Sequence, residues 1–393
     1  MTFRPTETDL PPSSRFSKDV VKAASTIFGD KTDLVLRSLG QPVRTYYVRC
    51  NTHKVSPTDL LTSLKSRGFD IRQNEIVPEA IGVNVKGPFK ITAAEESVVV
   101  DKKTAESVLQ GANVYAPGIV KCESLRFGDE VTILSELGEL IAVGKAEMSA
   151  TEVLTLKKGL AISVSKRRFQ TLQIRDLEEY SRGLLYPQSL AAMVTAKVLD
   201  PKPEETIVDM NCAPGGKLTH MSQLMKNRGK IYGFDRNSHK LQASRETTSK
   251  LGCENVILTI HDSRYLHEDL PNLRADKVLI DPPCSALGLR PKVYDCTTQE
   301  RIDSLASYQM QFVKAASKIV KPGGTIVYSV CTFTLTECEK VAEFGVSECG
   351  LHLVHQNPIL GSTGLENDPV GSRCQRFNPH TDEIGYFIAK FER

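Results

Sequence analysis

The clearest hydrophobic pattern lies in the second half of the chain. From Glu204 onward, short apolar runs alternate with longer helical stretches: "ETIVDM", a helix, "KIYGFD", a helix, "ENVILTIHD", then "ADKVLID", a helix, "GGTIVYSV", a helix, and finally "GYFIAKF". Apolar strands separated by helices predict a mostly parallel, doubly wound α/β sheet. Upstream the rhythm differs. "VRTYYVRCNTHKVSPTDLLTSLKSRGFDI" reads as a β-rich run and then a helix. Ser56 suits its N-cap, Pro57 its first turn and Asp59 the positive end of its dipole; Leu60, Leu61 and Leu64 form its apolar face, and Gly68 ends it. Between these sections, "SVVVD", "EVTIL" and "LIAVGKAEM" alternate with the Gly-rich turns "LQGANVYAPGI" and "RFGDE". Short strands at that spacing predict a small barrel-like β section. The expected division is 1–90, a small α/β unit; 91–170, the β section; and 171–393, the doubly wound domain.

Length and composition narrow the picture. A chain of 393 residues can hold two or three cores, and its ordinary apolar and charged fractions exclude collagen, coiled coil and disorder. No apolar run reaches membrane-spanning length. The start, "MTFRPTETDLPPSS", has neither the charged opening nor the apolar stretch of a signal peptide. The expected location is the cytoplasm, with no membrane partner. Ten cysteines are scattered without Cys-x-x-Cys or local Cys/His spacing, so no metal is expected and each thiol is by default a small buried hydrophobe. A net charge of +3 is too small to imply nucleic acid. The basic run Lys157, Lys158, Lys166, Arg167 and Arg168 alone reads as a solvated edge; it gains meaning only beside a site with work to do on nucleic acid.

In doubly wound sheets ligands lie beyond the carboxyl ends of the strands. The first strand is followed by Asn211-Cys212-Ala213-Pro214-Gly215-Gly216-Lys217, whose two glycines allow close backbone approach and free amides at a helix start. A Walker loop is excluded, since Asn211 stands where it needs Gly and Leu218 where it needs Ser or Thr; the three-glycine dinucleotide fingerprint is absent too. The next strands end in Asp235, Asp262 and Asp281. Each aspartate alone could be a cap, but four successive strand ends fit a nucleoside ligand: ribose on Asp235, an adenine amine near Asp262, a charged tail over the Gly loop.

Two strand mouths also carry cysteines, Cys284 in "DPPCSALG" and Cys331 in "YSVCTFTLTECE". Thiolates attack electron-poor carbon readily. A pyrimidine C5 is too weak a nucleophile to take a methyl group until a thiolate adds at C6. Afterwards the C5 proton must leave and the sulfur be expelled, which calls for a second polar group, while an acid near N3 stabilises the ring charge. Cys331, Cys284 and Asp281 are the parts such a route requires.

"DMNCAPGGK", "DPPCSALG" and "YSVCTFTLTECE" together resemble the cofactor loop, Pro-Cys loop and Thr-Cys loop of the Sun (NSUN, Fmu-type) RNA cytosine-5 methyltransferases. "VRCNTHK", "YPQSLAAMV" and "RFNPHTDEIGYFIAKF" resemble that family's other signatures, and "QGANVYAPGI" is similar to the core of a PUA RNA-binding domain. A PUA section ahead of such a domain is the NSun6-type arrangement. The resemblance implies a Rossmann-like class I S-adenosylmethionine-dependent methyltransferase domain with a small N-terminal α/β domain and a PUA domain. It implies Cys331 as nucleophile, Cys284 as the product-release cysteine, Asp281 on the target base and Lys217 in the active site. Its cofactor contacts would be residues 211–217, Asp235, Asp262 and Asp281. The implied partner is tRNA, held by its acceptor stem and CCA end, with no DNA and a monomeric enzyme; unpaired RNA ends are read by contact and stacking, and flipping a base costs least there. The chain departs from the family at Cys212, Val330, Ala286 and Gln110.

Two other classes stay open on the residues alone: an RNA-binding protein without turnover, which has no use for paired thiols, and a DNA cytosine methyltransferase, in which the Pro-Cys loop carries the nucleophile. The same chemistry on rRNA is a third possibility. The remaining cysteines carry no expected role, and His220, Arg290 and His380 read as capping or surface groups.

Overall fold

A computed structural model describes residues 12–365, 368–381 and 383–393, so the first eleven residues of the polar N-terminal stretch lie outside the description. The second half folds around the expected sheet. Thr206–Asp209 pairs in parallel with Lys230–Asp235 on one side and with Ala275–Ile280 on the other. Val256–Ile260 extends the first side and Val320–Val330 the second, both parallel; Tyr386–Glu392 then runs antiparallel beside Val320–Val330. Strand order reverses between Thr206–Asp209 and Ala275–Ile280, a topological switch point where a crevice opens. Alternate residues of these strands enter two separate cores. Val208, Val278 and Ile280 pack with Phe312 and Val313 of the helix Gln299–Ile319, while Ile207 and Leu279 pack with Met193 and Val194 of Leu190–Leu199. Burial on both faces is why the strands read as continuous apolar runs.

The N-terminal helix forms as expected over Pro57–Ser66, with the Ser56 hydroxyl accepting from the Asp59 amide at 3.1 Å and Gly68 at φ 81°. Its sheet joins Thr45–Cys50, Ala80–Asn84 and Ile71–Gln73, and takes Leu185–Pro187 as an edge strand. The β section is a six-stranded sheet around Val98, Val131, Ile133, Ile141 and Ile162. Two helices with no sequence expectation, Lys18–Phe28 and Thr32–Leu39, lay Val20, Val35, Leu36 and Leu39 against Leu287, Ile302 and Phe333. Among the described residues no helix is long and apolar enough to cross a membrane.

The N-terminal unit grips the helix Gly216–Leu224. Buried Arg49 donates to the Gly216 carbonyl at 2.6 Å and the Thr219 hydroxyl at 2.7 Å. His220, expected as a cap or surface group, is instead fully buried, because six consecutive residues of this helix, Leu218–Gln223, are enclosed. Its Nε2 lies 2.9 Å from the Glu79 carboxylate. Burial pushes His220 down to about 4, so it is neutral at pH 7 and donates a hydrogen bond to Glu79; burial opposes that carboxylate's charge, but His220 and Lys197 hold it at about 2. His380 faces Phe28 edge-on, and Arg290 donates to the carbonyls of Gln41, Pro42 and Pro379.

The unfolded chain protonates this histidine near pH 6.5, where the native state does not. Its contribution is therefore complete above about pH 6.5 and declines toward pH 4, by up to about 1.4 kcal/mol per pH unit. Urea unfolding at pH 7, 6 and 5 should show that decline in the wild type and a shallower one in His220→Gln; equal slopes would exclude His220 as its source.

Candidate active site

Two glycines shape the loop after the first central strand. Gly215 has φ 105°, and a Cβ on Gly216 would lie 3.3 Å from the Tyr186 ring. Lys217 follows in the first helical turn. Its Nζ donates to Asp281 Oδ2 at 2.7 Å, across the switch point. Asp281 Oδ1 accepts from the hydroxyls of Ser329 at 3.1 Å and Tyr386 at 3.4 Å. Burial works against the Lys217 ammonium, but Asp281 and Tyr386 outweigh it and hold its pKa above the ordinary lysine value.

Cys284 and Cys331 end neighbouring parallel strands, and their sulfurs stand 3.4 Å apart, in thiol hydrogen-bond contact. Two devices hold them there. Gly288 donates its amide to the Cys331 carbonyl at 3.0 Å and accepts from the Gly385 amide at 2.8 Å; a Cβ on Gly288 would lie 2.0 Å from the Gly385 oxygen. Beneath, the fully buried Glu337 carboxylate accepts from the Ser285 amide (2.8 Å) and hydroxyl (2.5 Å), Gln309 Nε2 (3.0 Å) and the Thr334 hydroxyl (3.0 Å), joining both cysteine loops. Ala286 takes φ 56°, which accounts for the glycine common there in the family it resembles.

The two thiols differ in their surroundings. Donation from Cys284 holds Cys331 below the ordinary thiol value; burial and Asp281 oppose this, while Lys217 and Lys292 add to it. Cys284 is driven well above that value by Cys331, by burial and by Glu337. Cys331 is thus the thiol that ionises and Cys284 the one that keeps its proton.

A cavity of about 350 Å³ brings together Asn211, Ala213, Asp235, Asp262, Cys284 and Cys331. A neighbouring cavity of about 420 Å³ is lined by Cys212, Pro214, Gly216 and Lys217, and Asp281 borders both. Asp235 also accepts from the Asn237 amide at 2.8 Å, and Asp262 is held by Arg264 at 2.6 and 2.9 Å, with the guanidinium stacked 4.6 Å over Tyr308. The glycine cradle and the unpartnered Asn211 Oδ1 fit a nucleoside sulfonium with a charged tail. Cys50, Cys122, Cys212, Cys338 and Cys374 are buried, and among the described residues no group of three or more His, Cys, Asp or Glu could hold a metal ion. Sequence reasoning missed Glu337, Gly288, Ser329 and Tyr386. All four stand in or beside quoted motifs, but their roles come from long-range contacts.

Comparison with known proteins agrees with this geometry. Residues 196–392 match the family described as 16S rRNA methyltransferase RsmB/F, and residues 96–167 match the PUA domain. The chain is 38% identical to a tRNA (cytosine(72)-C(5))-methyltransferase of Pyrococcus horikoshii, over 96% of this chain and 97% of that one. It is 28% identical to the mouse tRNA (cytosine(72)-C(5))-methyltransferase NSUN6, over 100% and 96%. The crystal structure of NSun6 from P. horikoshii with SFG, an analogue of S-adenosylmethionine, superposes with a TM-score of 0.89 at 37% identity, covering 96% of this chain and 98% of that one.

Two measurements test the site. Replacing Cys284 by Ala removes the thiol that donates to Cys331, so the pH midpoint for iodoacetamide alkylation of Cys331 should rise; an unchanged or lower midpoint contradicts the stated asymmetry. Gly288→Ala should lower stability by about 1–3 kcal/mol and slow methylation, whereas wild-type melting and rate would show that the loops do not depend on that close approach.

Proposed function

The chain belongs to the RsmB/F family of S-adenosylmethionine-dependent RNA cytosine-5 methyltransferases, with a PUA domain and an NSun6-like fold, and we propose that its substrate is tRNA, methylated at a cytosine of the acceptor stem beside the CCA end. The observation that carries the reading is the pair of thiols 3.4 Å apart, facing the Lys217–Asp281 pair. The relatives named for cytosine 72 support the position. So does the docking of the β section: Glu106 accepts from the Val293 amide at 3.1 Å and Glu136 from the Tyr294 hydroxyl at 2.8 Å, just beyond the Pro-Cys loop. An RNA end held there lies near the cysteines. In the basic run Lys166 pairs with Glu130 and Arg167 bonds Val164 and Asn113, so exposed Lys157, Lys158 and Arg168 are the ones offered to phosphate. The enzyme acts as a cytoplasmic monomer, with neither DNA nor membrane as partner.

In this mechanism S-adenosylmethionine supplies the methyl group as a sulfonium electrophile. Asp235 and Asp262 hold its nucleoside end, and residues 211–217 with Asp281 its tail. Cys331 forms a sulfur–carbon bond at C6, and the electron pair of the C5=C6 bond moves to C5 and into the ring toward N3. Asp281, held by Lys217, Ser329 and Tyr386, accepts from the amine at C4 and fixes the ring edge, and the Lys217 ammonium beside it offsets the charge that grows at N3. The electron-rich C5 would then bond the methyl carbon while that carbon's bond to the sulfonium breaks, leaving its electron pair on the cofactor sulfur. When a base takes the C5 proton, the C5–H electron pair restores C5=C6 and the bond to Cys331 breaks, its pair leaving on the Cys331 sulfur as a thiolate that the Cys284 thiol, 3.4 Å away, stabilises by donating to it.

A denaturing gel tests the roles, using wild type, Cys331→Ala and Cys284→Ala with tRNA and S-adenosylmethionine. Cys284→Ala should accumulate a covalent protein–RNA band, and Cys331→Ala should give neither band nor 5-methylcytosine. The reverse pattern would move the nucleophile to the Pro-Cys loop. No adduct and no methylation from any protein would favour RNA binding without turnover.

A further inference from the structure

Gln188 lies between the edge strand Leu185–Pro187 and the helix Leu190–Leu199, and is 7% exposed. Its amide oxygen accepts from Arg49 Nη1 at 2.6 Å. A guanidinium offers only donors, so turning the amide over would set donor against donor. Arg49 is itself fixed by the Gly216 carbonyl and the Thr219 hydroxyl. The orientation of Gln188 is thereby determined, with Nε2 on the free side. That nitrogen is buried and has no partner in the protein, while the side chain lines the cavity that Lys217 and Asp281 also border. A buried donor left unpaired is costly, and a fold that keeps one beside its reactive groups is shaped for an acceptor arriving from outside.

We propose that Gln188 contacts the substrate, its Nε2 donating to O2 of the target cytosine. The inference rests on the addition chemistry proposed above and extends it. Cytosine presents an amine at C4 and an oxygen at C2 on one edge, so an accepting Asp281 and a donating Gln188 complement the two ends of that edge. When sulfur adds at C6, negative charge spreads through N3 onto O2, and the Gln188 contact strengthens as the barrier is climbed. A cofactor carboxylate is an acceptor of the same chemistry. One observation favours the base: Asp281 borders both cavities, so a ring with C6 at Cys331 in the first can set its other edge in the second, between the flat Tyr186 ring and Leu289.

Gln188→Glu separates the contact from its support, since the new side chain keeps an oxygen for Arg49 and loses the donor. Calorimetry should find S-adenosylmethionine affinity within about twofold of wild type, while the single-turnover methylation rate falls about 100-fold with melting unchanged. Gln188→Met, which removes the donor without adding charge, gives the same comparison if the glutamate variant does not fold. A rate that stays at the wild-type level overturns the proposal. So does an affinity for S-adenosylmethionine that falls as far as the rate, which would give the donor to the cofactor's carboxylate. The same substitution in a Cys284→Ala background should weaken the covalent band. If Cys284→Ala with native Gln188 forms no band, the addition chemistry is what fails and the Gln188 assignment falls with it.

Discussion

A lysine and an aspartate paired at a strand reversal set what the other groups in the cleft can be. Lys217 rides on the helix after one strand and Asp281 ends its neighbour, so the pair is a property of the topology as much as of the side chains. Removing one member leaves the other uncompensated, at a cost below the roughly 3–5 kcal/mol of a fully buried pair because the Asp281 carboxylate also meets solvent. The effect reaches further. Asp209, behind the pair, is pushed up to about 7 by burial and by the charge of Asp281. On Cys331 the pair's two charges oppose one another, Asp281 working against ionisation and Lys217 for it.

Around that pair the rest of the chain serves to hold loops still. Glu337 ties the Pro-Cys loop to the Thr-Cys loop from below, and Tyr328 reinforces the tie by donating to the Glu337 carbonyl at 2.6 Å and to Gln309 at 2.9 Å. Gly288 and Gly385 close the side, where any side chain would force the strands apart. The N-terminal helices press Phe28 edge-on against Phe333, two residues beyond Cys331. Arg49 reaches from the N-terminal sheet to the Gly216 carbonyl, next to Lys217. The N-terminal unit is therefore part of the catalytic framework, whatever else it meets on RNA.

Local chemistry explains how much of this could be read in advance. The doubly wound sheet was legible because strands buried on both faces leave unbroken apolar runs, and the strand-end acids and cysteines because such sheets gather ligands at one edge. The helix at Pro57 was legible because its cap, proline and stop are adjacent in sequence. Glu337 was not. A glutamate six residues past a cysteine looks like any helix-start acid until Ser285 and Gln309 arrive from distant elements. His220 failed for the same reason, since its enclosure comes from Glu79 and a domain contact rather than from its neighbours in the chain. Leu185–Pro187 joins the N-terminal sheet by a pairing that spans more than a hundred residues, which local periodicity does not encode.

The two cysteines show most directly why placement outranks identity. Each ends a parallel strand, and each lies within reach of the other, so neither position nor sequence context alone decides which attacks. Their mutual hydrogen bond leads, making Cys331 the easier of the two to ionise; Lys217 and Lys292 act with it against burial and Asp281, whereas burial and Glu337 weigh on Cys284. Cytosine methylation needs a thiolate at the start and a proton source at the end. A contacting pair whose environments pull in opposite directions supplies both from one residue type.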